Sequence, residues 1–538
     1  SGQLGLDGNA KFGIPGGQFI AGLSSVALGG GLSGVGSAGV SSATRDNKFH
    51  YGTNMTYQAG QHLIKFGGQL LRIQQNRYYS GNNGALGLFS YSAVYSGIDF
   101  GDFLLDALTR KGRGGVGDKW GHRHWRNALF AQDDIKLRPN FTLNLGIRWE
   151  YVTPIYEVAD RQVNIDVFTG ELIFPGQNSA NRALYEPYHK QFMPRIGFAW
   201  TPAMFNNKLV IRSGYAFTNF LEGTGANLRL PLNPPFFTEI DVTYDPARAG
   251  TITTGFGDVA AVPSLAGPRT GAPNAQGQPT PFLQARAWER NLRPQFTNQF
   301  NFALEYQIDS VTSISAAYVG QRGTHLVVPH EANNPLPGTG PVSTWIDLND
   351  RRPLARALPN VSNIALTESS GTMWYNSLQT YVRRRYNRRL ELIAQYTLSK
   401  TNTDNLGYYG CGNVNSEGAY WQDAYNRHGN YGPACFDARH NFTTGGLYEL
   451  PIGKGKTWGS GWSRPLDLVL GGWNVNYFLS AHSGFPVTIQ AASHNTGGRT
   501  PRGNVRANRY GPLDLSGTRT VDSWFGKVFT ASDFCASG

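Results

Sequence analysis

Long apolar runs are missing from this sequence of 538 residues. A membrane-spanning helix needs roughly 20 consecutive apolar residues. The nearest candidate, Phe12 to Thr44, is uncharged but built mainly of Gly, Ser and Ala, which supply too little transfer energy to hold a helix in lipid. Charge is also scarce, with Asp, Glu, Lys and Arg at 16% of the chain against roughly a quarter in average soluble domains. With only 4 Met and few helix formers, this balance argues against a helical bundle, a coiled coil or an acidic disordered chain. Three cysteines in so long a chain exclude a disulfide scaffold. The sequence holds no HExxH and no paired CxxC, so it lacks the usual frameworks of a zinc site.

Strand and turn formers are abundant: 67 Gly, 26 Tyr, 30 Phe and aromatics at 13%. The net charge of +12 permits an anionic surface as a partner, but such charge concerns association rather than fold, and nucleic acid is not expected as a partner. The informative pattern is alternation with period two over segments of about ten residues. In Phe141 to Tyr151, the residues Phe141, Leu143, Leu145, Ile147, Trp149 and Tyr151 fall on one face, and Thr142, Asn144, Gly146, Arg148 and Glu150 on the other. The same pattern sets Phe49, Tyr51, Met55 and Tyr57 against His50, Gly52, Asn54 and Thr56. It recurs at Leu209 to Phe217, Phe300 to Gln307 and Leu390 to Ser399, and about thirteen such segments end near Gln490.

The connections alternate in length. Tight links at Ala59 to Gln61, Leu137 to Asn140, Pro202 to Asn207, Asp309 to Ser310 and Tyr386 to Arg388 separate long polar ones. The long ones run from Gln75 to His122, Thr153 to Phe192, Leu221 to Phe296, Gln321 to Thr372 and Thr401 to Asp437. All long loops therefore emerge at one end, the pattern of an outer-membrane barrel with periplasmic turns and extracellular loops. Lipid explains the strands, because without water the backbone groups are satisfied only by helices or a closed sheet. A mean hydropathy of −0.35 is compatible, since barrel strands are apolar only at alternate positions. The fold class expected is all-β, a large transmembrane antiparallel up-and-down β-barrel; a large soluble β-protein with the same residues in a core is the alternative. Residues 1–46 read as a Gly-rich segment before the strands, 47–491 as the barrel region, and 492–538 as a loop or incomplete C-terminal barrel segment.

Five segments stand out: HLIKFGGQLLR at His62 to Arg72, ALFAQDDIKLRPNFTLNLGIRWEYVTP at Ala128 to Pro154, FMPRIGFAW at Phe192 to Trp200, YNSLQTYVRRRYNRRLELIAQYTLSK at Tyr375 to Lys400 and LYELPIGKGK at Leu447 to Lys456. Together they resemble the TonB-dependent outer-membrane transporters of the Oar-like group. The resemblance spans nearly everything from Asn47 to Phe534 and implies a barrel in a Gram-negative-type bacterial outer membrane that moves a bulky solute. It also implies outer-membrane lipid and lipopolysaccharide as surroundings, and a TonB-type energising complex acting through a plug. Ser1 to Thr44 does not read as a plug, and no TonB box stands before the first strand. The chain is therefore expected to be a central barrel piece, since transporters of about 22 strands carry a plugged lumen. A passive or structural outer-membrane barrel, and a secreted soluble β-rich glycan-binding protein, are the rival functions.

The remaining motifs are modest. Gly34, Gly36 and Gly39 spell GxGxxG without the strand and helix that a dinucleotide site needs, and GKGK at Gly453 to Lys456 lacks the Walker spacing. His122 and His124 share a strand face but lack a third ligand, and are expected to be solvated at a strand entry. Arg383, Arg384, Arg385, Arg388 and Arg389 fall at a short turn, where cations meet phosphate head groups or lumen carboxylates. Cys411 and Cys435 fall in one long loop and are expected to form a disulfide, worth about 3 kcal/mol in the chain-entropy model. Asp404, Asp423 and Asp437 do not follow a calcium-loop spacing. Arg148, Glu150, Arg212, Glu305 and Glu391, with Arg383, are expected to face the lumen. No catalytic residue, cofactor or metal is expected, and the protein is not read as an enzyme.

Overall fold

The computed structural model describes residues 22–114, 119–220, 229–237, 239–244, 246–247, 249–253, 265–266, 283–336, 349–386, 390–404 and 420–489, with 506, 508–509 and 534–535. Its main sheet has fifteen strands, twelve of which follow one another in chain order along a single path. The first six are β1 (Ser42–Ala59), β2 (His62–Tyr79), β3 (Trp120–Arg138), β4 (Phe141–Val152), β5 (Gln191–Trp200) and β6 (Leu209–Phe220). They continue as β7 (Gln295–Gln307), β8 (Thr312–Glu331), β9 (Val361–Tyr386), β10 (Leu390–Thr403), β11 (His440–Glu449) and β12 (Asn474–His482). Each is antiparallel to the one before it, as an up-and-down wall requires, and among the described residues β1 and β12 are its two edges. The first strand starts at Ser42, earlier than the alternation from Asn47 suggests, and the last ends at His482.

Register carries the alternation across the wall. Ile135, Leu143, Phe198, Ser213, Phe302, Tyr318, Leu378 and Leu398 stand opposite one another in a single row through eight strands. Directly opposed residues share a face, so this row and those two residues above and below it make an apolar outer surface. Leu129 is 61% exposed and Ile147 50%, an arrangement that water disfavours and hydrocarbon tolerates. Among the described residues no helix is long and apolar enough to cross a membrane.

Local chemistry explains the tight end. Ala59 pairs with His62 across a two-residue turn in which Gly60 takes φ +60, a left-handed conformation favoured in such hairpins. Asn206 and Asn207 take φ +52 and +58 in the next open turn, as asparagine tolerates better than most residues. One connection at this end departs from the expected asymmetry. Residues 450–473 are long and contain a helix, Arg464–Leu470, and the GKGK turn is held there by Asp467, which accepts the Lys454 N–H.

The buried cores lie at the other end. Strands β8 and β9 run for 20 and 26 residues, whereas a spanning strand needs about 9–11, so the upper halves of both stand clear of the apolar band. The loop expected between Gln321 and Thr372 is correspondingly shortened to 332–360. Leu283–Trp288 pairs in parallel with upper β9, and its Leu283, Ala285 and Ala287 pack on Leu354, Leu358 and Ile364. A second core joins Val152, Ile155, Leu184, Tyr185, Leu230 and Trp288. A separate four-stranded sheet orders Ser25–Leu28, Leu88–Tyr91, Arg110–Arg113 and Ile240–Thr243, and packs Val26, Phe89, Tyr91 and Leu108 together. The described parts of the long loops thus form a folded cap rather than solvated polar coils.

Candidate functional site

The charged residues on the inner face of the wall are arranged as ion pairs between close positions. Arg148 Nε lies 2.6 Å from Glu150 Oε1 on β4, and Arg212 Nη2 lies 3.8 Å from Glu305 Oε2 between β6 and β7. Glu391 Oε1 accepts from Arg383 at 3.0 Å and Arg385 at 2.8 Å between β10 and β9. All of these residues stand on the face opposite the apolar rows, because the register pairs Arg148 with Met193, Arg212 with Ala303 and Glu391 with Arg385. Lys65, Gln132 and Asn144 add a cluster on Asp134 at 2.6–2.9 Å. Exposed pairs of this kind contribute little stability, about 0–1 kcal/mol; their effect is to leave a polar surface with no isolated carboxylate in these groups. Arg384 pairs in register with Thr312 and so falls on the apolar face, while Arg388 and Arg389 lie outside the described residues.

Above this face the cap encloses a cavity of about 160 Å³. Its charged wall is Arg110, Arg286, Glu239 and Asp241, and Leu232 and Phe237 supply apolar surface. Arg110 donates to Asp241 from Nε and Nη2, at 2.7 and 2.9 Å, and from Nη2 to Asn83 Oδ1 at 3.2 Å. Glu239 accepts the Asn83 backbone N–H at 2.7 Å, and burial pushes its carboxyl above the usual range. The Arg286 side chain donates to the Leu232 carbonyl at 3.2 Å. Two fully buried asparagines lock the walls in place. Asn233 donates to Val163 O and Arg286 O at 2.8 and 2.7 Å, and Asn164 donates to Leu184 O and Trp288 O at 3.0 and 2.9 Å. The sequence offered no sign of this cavity, since Arg110 and Asp241 are 131 positions apart.

His122 and His124 are each only 1% exposed, which corrects the expectation of solvated rings. They lie on the inner face of β3, above the apolar rows, where the short strand Tyr156–Glu157 pairs alongside β3 at His122 and Arg123. Burial, with Arg77 and Arg123 near one ring and Arg126 and Arg72 near the other, lowers their pKa values to about 4 and about 3. A pair so surrounded by guanidinium groups is a poor cation site, and among the described residues no group of three metal-ligating side chains occurs.

In the loop that carries Cys435, the aspartates act as structural acceptors. Asp404 accepts the Thr372 N–H at 2.6 Å and faces Arg427 at 3.2 Å, Asp437 accepts the Thr401 N–H at 2.8 Å, and Asp423 accepts the Tyr425 N–H at 2.9 Å. Cys435 is disulfide-bonded, while Cys411 lies outside the described residues. Gly36 and Gly39, from the GxGxxG run, take φ +75 and +67 in a bend after Ser25–Leu28, with no helix following.

The sequence matches the family described as outer membrane beta barrel domain over residues 1–537. The chain belongs to that family. It lies in the bacterial outer membrane, and its apolar rows are the lipid-facing surface of a barrel wall with the cap outside. No curated protein matches the chain. Among solved structures it is similar to the outer membrane transporter YddB from Escherichia coli, with 12% identity, 85% of this chain and 50% of that chain covered, and a TM-score of 0.41. It is also similar to the alcaligin outer membrane receptor FauA from Bordetella pertussis, with 11% identity, 82% and 47% coverage and a TM-score of 0.37. The ferric-catecholate import receptor Fiu from K12 E. coli is similar at 13% identity, 78% and 44% coverage and a TM-score of 0.36. The barrel domain spans about half the length of these structures.

Proposed function

We propose that the protein is a TonB-dependent outer-membrane transporter of the Oar-like group, which admits a bulky solute through the cap and along the polar inner face. The observation that carries this reading is the folded cap with its charged cavity at the extracellular end of the wall. A passive pore works best with an open mouth, and a scaffold has no use for a cavity built from two arginines and two carboxylates. The segments that resemble Oar-like transporters supply the mode of energy coupling, through a plug and a TonB-type complex. Arg148, Glu150, Arg212, Glu305 and Glu391 then line the path, and their pairing keeps the path from trapping a charged solute at any one step.

Conductance separates the readings. The native protein, extracted from outer membranes and placed in a planar bilayer, is expected to show no steady open current and to bind the periplasmic domain of the host TonB protein. A stable open pore without TonB binding would replace this reading with a passive barrel. The same extract tests the loop bridge proposed between Cys411 and Cys435: alkylation without reductant is expected to leave both unlabelled, and a peptide map to link them. Labelling of Cys411 would sink that pairing.

A further inference from the structure

The size of the cap cavity limits what it can hold. Its volume of about 160 Å³ is that of roughly five water molecules at about 30 Å³ each. This is about the space of a single six-membered sugar ring, and far less than a solute that needs a barrel to cross the membrane. Asn82 and Gln284 are its exposed lining residues and mark the mouth. A large solute therefore enters only by one terminal unit.

The charges of the wall are already engaged. Two guanidinium groups face two carboxyls, Arg110 is spent on Asp241, and Arg286 is anchored on the Leu232 carbonyl. Burial pushes the Glu239 carboxyl up, so the site resists further negative charge. What is left for a ligand is hydrogen-bonding capacity without net charge. Arg110 donates from Nε and Nη2, which leaves Nη1 without a partner among the described residues. Each Asp241 oxygen accepts one of those bonds and keeps a second lone pair. Asn82 accepts the Tyr79 hydroxyl on Oδ1, and its Nδ2 meets no acceptor among the described residues. These planar groups offer donors and acceptors side by side, the arrangement that neighbouring hydroxyls on a ring can match. Beside them Phe237, stacked on Tyr79 at 6.5 Å, and Leu232 supply an apolar wall for the C–H face of such a ring.

The geometry points to a site for one uncharged pyranose unit at the end of a larger solute, with hydroxyls on Arg110, Asp241 and Asn82 and the ring face on Phe237 and Leu232. A charged unit is disfavoured by the same balance, because it brings an uncompensated charge into a wall whose own charges are paired. The inference rests on the transport reading only for the cargo to which the ring belongs.

The test is saturation-transfer NMR on the native protein in detergent with three kinds of probe. They are the methyl glycosides of glucose, galactose and mannose; glucuronic acid, which adds a carboxylate to the same ring; and leucine, a zwitterion. At least one neutral glycoside is expected to bind about tenfold or more tightly than glucuronic acid or leucine. Asn82→Trp, which blocks the mouth, and Phe237→Leu, which removes the ring face but keeps the wall apolar, should each weaken that binding by about tenfold or more. Heat-modifiable migration on gels verifies that both variants are folded. Absence of binding by all three neutral glycosides would overturn the sugar site, equal binding of glucuronic acid or leucine would overturn its neutrality, and unchanged affinity in both folded variants would overturn its location. Binding of the host TonB domain by the same extract keeps the two readings apart. TonB binding without glycoside binding removes this inference alone, whereas glycoside binding without TonB binding removes the transport reading and leaves the sugar site standing.

Discussion

Replacing Asn164 by leucine is expected to release the cap while leaving the barrel wall folded. Asn164 is 1% exposed, and its side chain makes four backbone contacts: it donates to Leu184 O and Trp288 O, and accepts from Ile165 N at 2.9 Å and Trp288 N at 2.8 Å. Leucine has nearly the same shape but neither donors nor acceptors. The substitution orphans buried groups on segments 20 and 124 positions away in the chain. Each orphaned buried group costs about 1–3 kcal/mol, so the summed loss is on the order of 5 kcal/mol. It falls on the core around Leu184, Tyr185, Leu230 and Trp288, because the wall is held by its own ladders of strand pairs. Limited trypsin digestion of the folded protein should show rapid cleavage after Arg182, Lys190 and Arg290, with heat-modifiable migration of the wall retained. Wild-type resistance at all three sites would remove Asn164 from this role.

Acid should loosen the same end of the molecule. His122 and His124 have folded pKa values near 4 and near 3, below the unfolded value of 6.5. A histidine whose folded pKa is depressed favours the closed state fully above its unfolded pKa, and that contribution declines as pH falls. Between pH 6.5 and 4 the opened loop binds a proton that the closed one refuses, so closure weakens by about 1.4 kcal/mol per pH unit for each ring. Over the full interval the loss at His122 alone is on the order of 3 kcal/mol. Glu157 acts in the same direction near the acid end: desolvation works to raise its pKa, but the N–H groups of Gly121, Arg161 and Ala159 hold it below the usual range, so as pH approaches 4.5 the opened loop takes up a proton there more readily than the closed one. Amide hydrogen exchange of residues 153–165 at pH 7.5 and pH 4.5, corrected for the intrinsic pH dependence, should show the opening. The double variant His122→Asn, His124→Asn should flatten the pH slope; an equally steep slope in that variant would assign the effect to other groups.

Much of the wall was legible in the sequence because strand geometry has a fixed period. Successive side chains point to opposite faces whatever the neighbours are, so Phe141 to Tyr151 disclosed an apolar and a polar side before any partner was known. Antiparallel pairing then keeps faces matched, which is why Arg148, Arg212, Glu305 and Glu391 stand on one surface. Loop lengths were equally readable, and they placed the long connections at one end. The overlong β8 and β9 were not, because residues such as Val327, Ile364 and Leu366 are buried by other loops rather than by the alternation of their own strand.

The cap belongs to the tertiary structure alone. Ser25–Leu28 pairs in parallel with Leu88–Tyr91, Arg110 meets Asp241, and Asn233 meets both Val163 and Arg286. None of these contacts has a local periodicity, since each depends on where long segments return after tens to more than a hundred residues. The histidines make the same point on a smaller scale. Their shared face follows from their spacing, whereas their burial, to 1% exposure each, does not; it arises at the cap end of β3, where Tyr156–Glu157 extends the pairing beside His122. By itself the sequence determined an up-and-down wall with one apolar and one charged face and long loops gathered at one end, because those features repeat with the backbone, while the long helix-bearing connection at 450–473 on the other end escaped it. Only the tertiary structure decided that the loops would close into a cap with its own core and cavity, because burial there is created by contacts between segments distant in the chain.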